Sequence, residues 1–173
     1  MSEKGLDLGS NEKSANAAAI AKVKINRPAT STVSRAAETQ PLAERIARLA
    51  AQAKATEISV LRVFELVQYT DWFVIVTGRS DRHVRAIREH IQDALRESGT
   101  RPLSVEGTDH NQWVLVDYGD VVVHIFYEPV RAFYELERLW NEAPRLELDL
   151  SAEADAAGPD VDGDGDDAAA QAS

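Results

Sequence analysis

The sequence predicts an α/β fold: one domain with a five-stranded mixed sheet flanked by helices. Three stretches carry that prediction. "DWFVIVTG", residues 71–78, is a nearly unbroken apolar run, which suits a strand covered on both faces. It runs into "SDRHVRAIREHIQDALRESG", where Val84, Ile87, Ile91 and Leu95 recur at helical spacing between a capping Ser80 or Asp81 and a terminating Gly99. Further on, "VLVDYGDVVVHIF", residues 114–126, sets two apolar runs around Gly119-Asp120, a hairpin turn with glycine where type II′ requires it.

The other elements follow in order. Leu42, Ile46, Leu49 and Ala53 share one helical face, so a helix is expected over 41–54, beginning near Pro41. "EISVLRVF" alternates as a strand, "PLSVEG" supplies a short one, and Pro129 opens a last helix, "VRAFYELERLWN", which Pro144 closes. Phe133, Tyr134, Leu136, Leu139 and Trp140 are too many large apolar side chains for one narrow stripe. Some must cover the sheet, and the rest are available to a partner or a second copy.

Composition narrows the function. The chain has 173 residues, no cysteine and a net charge of -10, so one domain with tails is expected, without disulfides or thiolate chemistry. Residues 1–40 carry net +2, residues 41–148 net -4, and residues 149–173 net -8. Three segments are therefore expected: a disordered arm over 1–40, the α/β domain over 41–148, and a disordered acidic tail over 149–173. No basic groove is evident, which argues against charge-driven nucleic-acid binding. No run is long and apolar enough for a bilayer, and no secretory signal is apparent, so a cytoplasmic location is expected. Glu3, Asp7 and Glu12 speak against a transit peptide. In the tail, Asp160, Asp162, Asp164 and Gly165 resemble half of a calcium loop, but Gln171 stands where its carboxylate should be.

The hairpin register assigns two faces. Val114, Val116, Tyr118, Val121, Val123 and Ile125 point to the core, while Trp113, Leu115, Asp117, Val122, His124 and Phe126 form a second face, expected to be half-exposed. Asp117 and His124 are diagonal neighbours there. Two readings stand: a base with its orienting carboxylate, or a hydrogen bond that fixes the histidine at an interface. The chain offers no obvious nucleophile, and no metal ligand set or cofactor motif, so the second is favoured. "TGRSDRH" likewise offers either an anion site or a helix cap.

"DWFVIVTGRSDRHVRAI", "VEG", "WVLVDYGDVVVHIF" and "YELERLW", in this order, resemble the ribosomal silencing factor RsfS family, also called Iojap-like proteins. The resemblance covers about residues 41–142. It implies a nucleotidyltransferase-like fold without catalytic residues. It also implies binding to the large ribosomal subunit through its ribosomal protein fourteen, blocking small-subunit joining when nutrients are scarce. Relatives that act in large-subunit assembly supply the alternative function; a nucleotidyltransferase-type enzyme is the remaining rival. Carried over by motif, the partner surface comprises Trp113, Asp117, Gly119, Asp120, His124, Tyr134, Glu137 and Trp140, with Asp117, Asp120 and Glu137 facing cations of the partner. The same surface is expected to serve a homodimer. No cofactor and no metal are implied.

Overall fold

The computed structural model describes residues 32–157. Along the chain run α1 (Thr32–Gln52), β1 (Thr56–Arg62), α2 (Phe64–Val67), β2 (Trp72–Gly78), α3 (Asp81–Glu97), β3 (Ser104–Glu106), β4 (Trp113–Asp117), β5 (Val121–Tyr127), α4 (Glu128–Tyr134), α5 (Leu136–Leu139) and α6 (Ser151–Ala156). The strands form one five-stranded sheet in the order β1-β2-β5-β4-β3. Only β2 and β5 are parallel neighbours; the other pairs are antiparallel, so the sheet is mixed as expected.

The hairpin has the register its turn dictates: Trp113 opposes Phe126, Leu115 opposes His124, and Asp117 opposes Val122. Of the two central turn residues only Gly119 has a positive φ, 87°, as a type II′ turn demands. The interior strand β2 is buried along its whole length. Beside it, α3 is capped by Ser80, whose hydroxyl accepts the His83 N–H at 3.1 Å. Its buried residues are the four expected, Val84, Ile87, Ile91 and Leu95.

One face of the sheet packs against α1 and α3. Val60, Val74, Val76, Val114, Val116, Val123 and Ile125 meet Ile46, Ala47 and Ala50 of α1 and the apolar stripe of α3. The opposite face carries Leu61, Phe73, Ile75, Val122 and Phe126, with Val63, Leu136 and Ala143 closing over them.

Three expectations change. The first helix begins at Thr32 rather than near Pro41, which lies inside it. Pro41 and Ala37 both face solvent, so the carbonyl that loses a donor is open to water. Upstream, Ala36 is buried, and Arg35 and Thr39 bond to Asp120 and Asp71, just ahead of β5 and β2, which holds the added turns in place. The last helix is broken at Glu135, whose φ and ψ of 45° and 46° end α4 and start α5. The first residues of the expected acidic tail are helical, as α6, after the end of the expected domain has bordered the sheet. Arg62 and Leu146 donate N–H groups to Pro144 and Val60, each at 2.9 Å, along the outer edge of β1. Then α6 returns to α1 through an Arg48–Glu153 ion pair at 2.6 Å. The candidate calcium loop and the positions weighed for a transit peptide lie outside the described residues.

Candidate docking face

The second face of the hairpin is not half-exposed throughout. His124 and Phe126 are fully buried, and Val122 nearly so. What remains partly open is a rim of large side chains around them: Tyr69, Trp113, Leu115, Tyr134 and Trp140. Beyond the rim, Leu66, Phe133 and Leu139 are exposed, Phe133 by 53 % and Leu139 by 66 %. The result is an aromatic platform with a dry floor.

Trp113 is the hub. Its ring stacks on Phe126 with centroids 4.8 Å apart and meets Tyr134 at 4.9 Å. Its indole N–H donates to His124 Nδ1 at 3.3 Å. Gly107 of the "VEG" segment explains the close approach beneath it. A Cβ there would fall 2.0 Å from the Trp113 carbonyl oxygen, and its φ is 80°. On the other side of His124, Phe73 packs edge-to-face at 4.9 Å and then meets Trp140 at 5.8 Å.

This arrangement answers the Asp–His question. Complete burial pushes the His124 imidazole down to about 3, so the ring is neutral at neutral pH. Its Nδ1 is occupied by Trp113, which leaves the proton on Nε2, a buried atom without a hydrogen-bond partner among the described residues. Asp117 is turned elsewhere: its Oδ1 accepts the Gly119 N–H at 2.6 Å and so braces the turn. Burial, and then the Asp117 charge, push the Tyr69 phenol up. An imidazole with no carboxylate and no route to solvent is a packing element.

The expected acidic contacts are mostly engaged within the chain. Asp120 receives Arg35 Nη2 at 3.1 Å. Glu137 lies in a network on the far side of the platform. Arg131, itself buried, donates to Glu137, to the Glu57 carbonyl and, at 2.7 Å, to Thr77 Oγ1; Ser59 adds a hydroxyl to Glu137 at 2.9 Å. Burial pushes Glu137 up, but the Arg131 hydrogen bond and charge outweigh it and hold the carboxyl below the usual range. The break at Glu135 accompanies the return of Glu137 to Arg131. At the other candidate site, the cap reading of "TGRSDRH" fits: Ser80 takes the His83 N–H, and the His83 ring bridges Arg79 N–H and the Ala53 carbonyl. No group of three or more metal-binding side chains occurs among the described residues.

The model of the family "Ribosomal silencing factor during starvation" matches residues 36–172. The chain belongs to this family. Among curated proteins it is similar to the ribosomal silencing factor RsfS of Bacillus subtilis, 42% identical over 97 residues that span 56% of this chain and 82% of that protein. It is also similar to the chloroplastic protein Iojap of Zea mays, 40% identical over 112 residues, 65% of this chain and 49% of that one. A third relative is the mitochondrial assembly of ribosomal large subunit protein 1 of Mus musculus, 34% identical over 101 residues, 57% and 44% of the two chains. A crystal structure from Bacillus halodurans aligns with a TM-score of 0.57 at 35% identity, covering 63% of this chain and 99% of that one. One from Chromobacterium violaceum gives the same score at 30% identity, with 66% and 96% coverage.

A family defined by silencing ribosomes is regulatory in kind. The residues carried over by motif divide into three groups. Trp113 and Tyr134 meet on the rim and Trp140 lies on it against Phe73, while His124, Asp117 and Gly119 are buried behind it. Asp120 and Glu137 stand at separate ion pairs. Sequence reasoning did not assign Tyr69 or Leu66 to this surface, because they lie in the turn around α2, which has no periodic pattern of its own. It did not find Arg131 either; its one available signal was a cation within the apolar helix, six positions before Glu137.

Proposed function

We propose that this protein silences the large ribosomal subunit by docking the aromatic platform on ribosomal protein fourteen at the intersubunit face, so that the small subunit cannot join. One observation carries the reading. The rim of Trp113, Tyr134 and Trp140, with exposed Phe133 against Tyr134, is the kind of apolar surface that marks a binding site. Trp113 is the anchor, already held by its indole hydrogen bond. Of the three acids expected at the edge, Asp120 retains the most access, at 38 % side-chain exposure, and gives the contact its charge preference. The protein acts in the cytoplasm, holds no cofactor and performs no reaction.

A second reading is favoured by the mouse relative, whose name records assembly of the mitochondrial ribosomal large subunit. In that case the same face binds a precursor. Sedimentation with purified subunits separates the two. Silencing requires the protein to migrate with large subunits and to lower the yield of full ribosomes. Co-migration with no change in that yield sinks silencing and favours assembly; no co-migration with mature subunits sinks it as well.

A further inference from the structure

Arg35 bridges two acids of different character. Its Nε lies 3.3 Å from Asp71 Oδ2, and its Nη2 lies 3.1 Å from Asp120 Oδ1, while the guanidinium sits 5.9 Å from the centre of the Phe64 ring. Asp71 is a structural acid. Its side chain is 1 % exposed, and Thr39 donates a second hydrogen bond to the same Oδ2 at 2.9 Å. Thr39 in turn accepts the Trp72 indole N–H at 3.0 Å. These contacts fasten the start of α1 to the sheet without help from Asp120. Asp120, by contrast, lies at the hairpin tip with its carboxylate partly in water. A charge pair of that exposure is weak and exchangeable.

We propose that Arg35 is an internal competitor for the docking face: it occupies Asp120 in place of a cation on the ribosomal partner. The inference rests on the docking reading above. An incoming Lys or Arg displaces one arm of the guanidinium, while the other arm keeps its hold on Asp71, so binding exchanges an ion pair without unfolding the helix. The family match begins at residue 36, immediately after Arg35, so the competitor lies outside the matched segment.

The test measures affinity of the full chain for purified large ribosomal subunits. Arg35→Gln should tighten binding about threefold, the scale of one half-exposed ion pair. Thr39→Val, which loosens the helix anchor but leaves the Arg35–Asp120 pair, should not tighten it. Asp120→Asn should weaken binding, and adding Arg35→Gln to that variant should change nothing further. Unchanged or weaker binding by Arg35→Gln overturns the competitor, as does equal tightening by Thr39→Val or tightening that persists without Asp120. The docking reading fails separately: if Trp113→Ala and Asp120→Asn both leave attachment intact, the platform itself is wrong. If those two weaken binding and Arg35→Gln does not strengthen it, only the competitor falls. Urea unfolding of each variant establishes that the comparison is between folded proteins.

Discussion

The two faces of the sheet are made by the same strands, with side chains alternating between them, yet they are covered differently. One lies under helices of 21 and 17 residues, whose apolar stripes fill it with aliphatic side chains. The other lies under helices of 4, 7 and 4 residues, with aromatic rings at Phe73 and Phe126 inside and Tyr69, Trp113, Tyr134 and Trp140 around them. Helices that short have little stability of their own. They are held by individual bonds, above all those of Arg131, and they leave gaps through which Trp113, Tyr134 and Trp140 reach solvent. The first face is built to be stable, and on the docking reading proposed above the second gives up part of its cover to offer a rigid surface. The difference teaches that a domain can separate the two tasks by the length of the helices on each side of one sheet.

Substitutions can break this division, beginning with the largest expected effect. Ile91→Ala, beneath the long helices, should cost about 3 kcal/mol of stability by urea unfolding. Affinity of the folded fraction for large subunits should stay the same. Trp113→Ala should lose about 2 kcal/mol or more of binding, at least about thirtyfold, in a direct titration against large subunits. An unchanged Kd would make the platform a mere second core.

The third prediction concerns pH. His124 has a folded-state pKa of about 3, well below its value in the unfolded chain. Between the two values the unfolded state binds a proton that the native state refuses. The contribution is thus fully present above roughly pH 6.5 and is lost progressively as pH falls toward the folded value. Urea unfolding at pH 7 and pH 5 should differ by about 2 kcal/mol on this account, and His124→Leu should flatten that difference. Glu137, depressed by Arg131, adds a further loss only as pH falls through and below the ordinary glutamate range. The smallest effect sharpens the comparison most. Phe133→Ala, at an exposed position, should leave stability within about 0.5 kcal/mol and weaken subunit binding by about 1 kcal/mol. Equal losses in both measurements would mean that the two tasks are not separate.

The parts of this design that were legible in the sequence are those governed by local rules. Gly119 set the hairpin register, and Ser80 with the Val84–Leu95 stripe placed α3. The crowded apolar residues after Pro129 do divide as expected, with Leu136 inside and Phe133 and Leu139 outside. What was not legible depends on distant partners. Pro41 reads as a helix start, but Arg35 and Thr39 find Asp71 at the entry to β2, and the helix begins nine residues before Pro41. Nothing near Glu135 marks a break, because the Arg131–Glu137 pair that accompanies it forms only in the folded surroundings of Thr77 and Ser59. Asp117 and His124 are neighbours by register, as their spacing implies, but each bonds to something else: the turn backbone and an indole. Adjacency follows from register, whereas the choice of partner depends on what else arrives.

The border that residues 144–146 supply to β1 has a bearing on how the chain comes off its own ribosome. Translation delivers β1 early and that border late, so an unguarded ribbon of backbone amides persists until the closing stretch emerges. A polypeptide cut short before Pro144 would keep that ribbon bare and should self-associate. Completion of the sheet is deferred until synthesis of the domain is nearly done.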